Sequence, residues 1–232
     1  MTQRSKLVIA NWKMNILLRD AFVLLKSVKT ENHLKNLVVC PPFVYISTLI
    51  SAFAKLNFGA QDCSANDLGA HTGEISASML YEIGCKYVII GHSERRINLG
   101  EDNKIIGRKL AKALEAGITP IICIGESLIK NQNSTLEYLF NQLEEIGVDS
   151  TKKFVIAYEP IWAIGSGITP IANEISYIFA KIKDIYPHLQ LLYGGSVNPE
   201  NADEFFSIDI LDGLLVGGAS LSEKKLNQIL ME

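Results

Sequence analysis

The sequence has 232 residues, 48 % of them apolar, with 22 Lys and Arg against 25 Asp and Glu for a net charge of −3. That is enough apolar material for one large core and too little charge for a disordered chain. Basic residues cluster only as the pairs Arg95-Arg96, Lys152-Lys153 and Lys224-Lys225, which excludes a basic stripe addressed to nucleic acid or an anionic membrane surface.

Short β-branched runs alternate with stretches of helical period from end to end, the pattern of a parallel α/β domain. In chain order, strands are predicted at Lys6–Ala10, Leu37–Cys40, Asn57–Ala60, Tyr87–Gly91, Thr119–Ile124, Phe154–Glu159, Gln190–Tyr193 and Gly213–Val216. The clearest helical periods lie at Ala21–Lys29, Lys104–Ala116, Leu136–Glu145 and Ala172–Tyr186, and Ser222–Met231 closes the series. Eight such units in residues 1–232 favour a single domain, a closed eight-stranded parallel (β/α)8 barrel. An open doubly wound sheet is disfavoured because no GxGxxG follows Ala10.

The apolar run Leu7–Ala10 is too short for a signal peptide or a membrane span, which predicts a cytoplasmic, unprocessed chain. Cys40, Cys63, Cys85 and Cys123 lie far apart with no CxxC pair and no His at ligand spacing. Buried thiols are expected, with neither a disulfide framework nor a zinc site.

A barrel of this kind places its functional groups at the C-terminal ends of the strands. After the first strand comes Asn11-Trp12-Lys13, an amide and an ammonium two residues apart. The fourth strand runs into Gly91-His92-Ser93-Glu94-Arg95-Arg96, where a helical turn starting at Ser93 would aim N–H groups at the imidazole and disfavour a positive ring. The sixth ends in Glu159, a carboxylate at an apolar rim, which suits a base that takes a proton from carbon. Pro160-Ile161-Trp162-Ala163-Ile164-Gly165-Ser166-Gly167-Ile168 follows, an apolar tip with glycine hinges that reads as a lid closing over ligand. The seventh and eighth strands end in Tyr193-Gly194-Gly195-Ser196 and Val216-Gly217-Gly218-Ala219-Ser220. Paired glycines there let backbone N–H groups approach an anion, so the expected substrate is a phosphate monoester.

These motifs, in this order, resemble the triosephosphate isomerase family over nearly the whole chain. The resemblance implies interconversion of dihydroxyacetone phosphate and D-glyceraldehyde 3-phosphate through an enediolate, a step of glycolysis and gluconeogenesis, with no metal or organic cofactor. It implies Glu159 as the proton shuttle, His92 as the donor that polarises the carbonyl, and Lys13 as the cation facing enediolate and phosphate. Asn11 would orient the ligand, Glu94 would support Lys13 and His92, and Gly165, Ser196, Gly217 and Gly218 would offer N–H groups to the phosphate. Gln61–Glu74 resembles an arm that inserts into a neighbouring subunit, which implies a homodimer with Thr72 reaching the partner's active site.

Two features depart from the family. The chain is shorter than the roughly 250 residues typical of the fold, so trimmed helices are expected after strands five and six. Ile168-Thr169-Pro170 stands where the family usually carries a lysine and two small residues. Thr169 is expected to cap the following helix with Pro170 in its first turn, anchoring that end of the lid. Two rivals, a phosphate-binding barrel isomerase of amino-acid biosynthesis and a catalytically dead binding barrel, are disfavoured by the Lys13, His92 and Glu159 set under an apolar lid.

Overall fold

Eight parallel strands close into a barrel in sequence order: β1 (Leu7–Asn11), β2 (Leu37–Cys40), β3 (Asn57–Ala60), β4 (Tyr87–Ile90), β5 (Thr119–Ile124), β6 (Val155–Tyr158), β7 (Gln190–Tyr193) and β8 (Gly213–Val216). The structure, a computed structural model, describes residues 6–28, 37–128, 131–164 and 170–230. Around the barrel run α1 (Leu18–Ser27), α2 (Phe43–Ala52), α3 (Ala77–Glu82), α4 (Ser93–Leu99), α5 (Asn103–Glu115), α6 (Gln132–Ile146), α7 (Ala172–Ile185), α8 (Pro199–Phe206) and α9 (Glu223–Leu230). Lys29 and Met231, placed in helices by their periodicity, lie outside the described residues.

Alternation along the strands splits the apolar residues into two layers. Leu7, Ile9, Val38, Ile89, Val155 and Leu192 fill the barrel interior, while Val8, Ala10, Val39, Val88, Ile90 and Ile156 meet the helices. Both faces are covered, which is why the strands read as continuous apolar runs. Each fully buried Leu or Ile contributes roughly 1.5–3 kcal/mol against leaving it in water. The seam closes with β8 tight on β1: a Cβ on Gly213 would lie 1.9 Å from the Leu7 carbonyl oxygen.

The strands fall where the sequence predicts, with informative shifts at their ends. β4 stops at Ile90 because Gly91 turns to φ +67, a left-handed conformation that ends the extended run. β6 stops at Tyr158, so Glu159 leaves the sheet while its N–H still donates to Ile124 O at 2.8 Å. The expected turn at Ser93 is a full helix, α4. The two helices expected to be shorter than the family's, α6 and α7, span 15 and 14 residues.

The cap of α7 differs from expectation. Ile171 occupies the N-cap position with no side-chain cap, its carbonyl accepting from Glu174 N at 2.9 Å and Ile175 N at 3.3 Å. Pro170 therefore precedes the cap and lies outside the first turn. Thr169 lies outside the described residues, two positions too early to cap this helix. All four cysteines are free and buried, as expected. Among the described residues no helix is long and apolar enough to cross a membrane.

Candidate active site

The chain bends sharply as it leaves β1. Lys13 has φ 53, a left-handed conformation that costs a non-glycine residue roughly 1–2 kcal/mol. Two side chains hold it there. Asn11 Oδ1 accepts from Lys13 N at 3.1 Å, and Gln61 Nε2 donates to Lys13 O at 2.8 Å and to Cys40 O at 2.9 Å. Gln61 was not singled out by the sequence, since one glutamine after a strand carries no pattern. The result aims Lys13 Nζ at Glu94 Oε1, 2.6 Å away. Both side chains are partly exposed, so this pair contributes at most about 1 kcal/mol and leaves the ammonium available to an anion.

His92 caps α4. Its Nδ1 accepts from Glu94 N at 3.2 Å, so the proton of the neutral ring is assigned to Nε2. The carboxylate of Glu94 stands 3.9 Å from Nδ1, beyond hydrogen-bond range. Glu94 thus serves the two candidates differently, Lys13 through its side chain and His92 through its backbone. Arg96, another residue missed in the sequence, donates to Gly91 O at 2.7 Å, Asn103 Oδ1 at 2.6 Å and Cys123 O at 3.0 Å, tying the ends of β4 and β5 together.

Glu159 is 2 % exposed. Its Oε2 accepts from Ser93 N at 3.1 Å, at the positive end of α4, and its Oε1 lies 3.2 Å from His92 Nε2. A buried carboxylate with these two neighbours is positioned yet only lightly bonded. Burial, and then the nearby Glu159 charge, push the Cys123 thiol well above its usual range, so this neighbour stays protonated.

Asn11, Lys13, His92 and Glu159 line one cavity of about 310 Å³ together with Ile164, Ser196, Gly217 and Gly218. Packing does not require the last two glycines. A Cβ on Gly218 would meet nothing within 4 Å, and one on Gly217 only the Lys13 side chain, Cε at 3.5 Å and Nζ at 3.9 Å. Their lack of side chains keeps space and N–H groups open to an anion. Ser196 also bridges to the segment after β6, its Oγ donating to Ala163 O at 2.7 Å.

The segment expected to act as a lid begins at Pro160 with a 3-10 turn over Ile161–Ala163. Trp162 Nε1 donates to the buried Glu126 Oε1 at 2.7 Å, and Tyr158 Oη donates to the same oxygen at 3.1 Å. Ile164 reaches the cavity; Gly165, Ser166, Gly167 and Ile168 lie outside the described residues.

Thr72 stands apart from this cavity, in a stretch from Asp67 to Glu74 that is exposed throughout. The base of the stretch is anchored by buried charges: Lys109 Nζ lies 2.7 Å from both oxygens of Asp62 and 2.5 Å from Glu101 Oε1, and Arg95 bridges Asp62 at 2.9 Å and Glu101 at 2.6 Å. Among the described residues no group of three His, Cys, Asp or Glu is arranged to hold a metal ion.

The sequence profile of the triosephosphate isomerase family matches residues 6–232. The triosephosphate isomerase of Cupriavidus pinatubonensis is 39 % identical over 236 residues, covering 95 % of this chain and 96 % of the relative. That of Azoarcus sp. is 41 % identical over 231 residues and 94 % of each chain, and that of Nitrosococcus oceani 41 % over 240 residues and 96 % of each. With barrel, cavity and whole-length similarity in agreement, this chain belongs to the triosephosphate isomerase family.

Proposed function

We propose that Glu159 is the base of the reaction this chain catalyses, the interconversion of dihydroxyacetone phosphate and D-glyceraldehyde 3-phosphate in glycolysis and gluconeogenesis. Glu159 takes a proton from C1 of the ketose, and the C1–H electron pair becomes the C1–C2 double bond of an enediolate. Returning the proton to C2 gives the aldehyde. His92, neutral with its proton on Nε2, donates to the oxygen that gains charge and moves the hydroxyl proton between the two oxygens. Lys13 faces the developing anion, and Asn11 both holds the Lys13 backbone and orients the ligand. Gly165, Ser196, Gly217 and Gly218 supply neutral donors to the phosphate. The carboxylate rests on Ser93 N and beside His92, so taking the proton requires it to turn from these partners to the substrate carbon.

The observation that carries this reading is the convergence of a buried carboxylate, a neutral imidazole and a cation on one cavity whose far wall is two open glycines. A coupled assay with glyceraldehyde 3-phosphate tests it. Glu159→Gln should lower kcat by at least about 10²-fold with the fold intact. Near-normal turnover in a pure preparation would overturn the assignment.

The working unit is a homodimer in the cytoplasm. Support for the dimer comes from the exposed arm and from Met14, Val44, Leu68 and Ile97, large apolar side chains left in water on segments that follow the neighbouring strands β1, β2, β3 and β4. Such a sector is what a second copy would cover, with Thr72 of each arm entering the other's site.

A further inference from the structure

Behind Glu159, the end of β5 makes the closest backbone approach in the site. A Cβ on Gly125 would lie 1.7 Å from the Glu159 carbonyl oxygen and 2.6 Å from its carbonyl carbon. On one side of Gly125, Ile124 O takes the Glu159 N–H at 2.8 Å; on the other, Glu126 O takes the Ile161 N–H at 2.9 Å. Glu126 also takes the Trp162 and Tyr158 donors already described. Three consecutive residues therefore form the seat under Glu159 and under the root of the lid. With no free space between Gly125 and Glu159, a displacement of one is a displacement of the other.

Gly125 lies beyond the end of β5, and a side chain takes the part of a neighbouring strand. Gln142 of α6 accepts from Gly125 N at 2.9 Å through Oε1 and donates to Gly125 O at 3.4 Å through Nε2. Packing alone does not ask for this residue. Leu136, Leu139, Leu143 and Ile146 make the buried face of α6 apolar, and Gln142 is a buried amide set among them. Losing it would strand the two polar groups of Gly125 away from water, a cost the chain can relieve by shifting Gly125.

We propose that Gln142 is a positioning residue for the isomerisation, its amide pairing with both polar groups of Gly125 to hold the end of β5 against Glu159 and the root of the lid. The proposal rests on Glu159 being the base. Three of the four phosphate donors, Ser196, Gly217 and Gly218, follow β7 and β8 away from this seat, so a misplaced base slows proton transfer far more than it weakens the hold on phosphate, and this separates positioning from general loosening.

The test is Gln142→Met in the full chain, with circular dichroism to count folded molecules. Per folded molecule kcat should fall about tenfold, within the penalty expected for small misplacement of a reacting group. KM and the inhibition constant of inorganic phosphate should move far less than kcat, while a hydroxamate mimic of the enediolate should bind weaker by the same factor as kcat. Gln142→Glu keeps the acceptor for Gly125 N but loses the donor, and carries the same test should the methionine variant fail to fold. In a Glu159→Gln background the Gln142 substitution should cost nothing further. Full kcat per folded molecule, a parallel loss of phosphate affinity, or an undiminished loss in that background would each overturn the proposal. Failure of the Glu159 reading shows separately, as retained turnover in the Glu159→Gln single variant.

Discussion

The two ends of the barrel are built from similar groups and differ in what those groups have left to do. At the N-terminal end a cleft of about 380 Å³, larger than the candidate active site, is lined by Lys6, Lys183, Asp209 and Asp212 among others. There the ammonium groups are committed to closing the fold. Lys6 donates to Ile208 O and Leu211 O, and Lys183 donates to Leu189 O and to Asp212, whose carboxylate also accepts from Leu191 N at 2.9 Å. At the C-terminal end Lys13 has one partly exposed partner, Glu159 is only lightly held, and Lys13 sits in a left-handed conformation. Cavity size does not separate a site from a seam; the commitment of its polar groups does.

Breaking the C-terminal end should give the largest effects. Deleting Ser64–Ala70 cuts away the first half of the arm's projecting part while leaving Asp62 and its buried charges in place; on the proposal that the arm completes the partner's site, it should give a monomer in sedimentation and lower kcat by about 10²-fold. A fully active monomer would remove the arm from the account. Gly218→Ala puts a methyl group into open space, so steady-state kinetics should show KM raised about tenfold with the melting temperature unchanged. Gly195→Ala makes the opposite case. Its Cβ would lie 2.1 Å from Tyr193 Oη, and thermal unfolding should register the clash as a loss of about 1–3 kcal/mol.

The N-terminal end should respond in stability alone. Lys183→Met leaves Leu189 O and Asp212 short of a donor and should cost about 1–3 kcal/mol in denaturant unfolding with kcat unchanged. A fall in kcat with stability intact would erase the distinction between the two ends. The smallest effect concerns the thiols. Burial pushes Cys63 and Cys85 up to about 12, so at pH 8 they remain protonated in the folded chain and should react with a thiol reagent only after unfolding. Rapid native labelling of either would contradict their place in the core.

Much of this was legible in the sequence because barrel strands buried on both faces announce themselves as apolar runs, and the polar residues at their C-terminal ends stand out against those runs. Asn11, Lys13, His92, Glu159 and the two glycine pairs were found that way, and they share one cavity. The less legible part depended on contacts distant in sequence. Gln61 reaches back 48 positions to Lys13, and Gln142 reaches back 17 to Gly125; a lone glutamine in a loop or a helix has no periodic signature. The α7 cap was misread for a local reason. Thr-Pro looks like a cap followed by a first-turn proline, but the first helical hydrogen bonds close on Ile171 O.

The most direct test of the central claim, that a base at the C-terminal rim moves a proton through an enediolate, is turnover of dihydroxyacetone phosphate in D2O with the product's carbon-bound deuterium measured. The wild-type chain should deliver product labelled at C2, since a carboxylate that has taken the C1 proton can exchange it with solvent before giving it back. Glu159→Gln should lose turnover and labelling together, by at least about 10²-fold. Unlabelled product from the wild type, or labelled product formed at the normal rate by the folded Glu159→Gln variant, would contradict it.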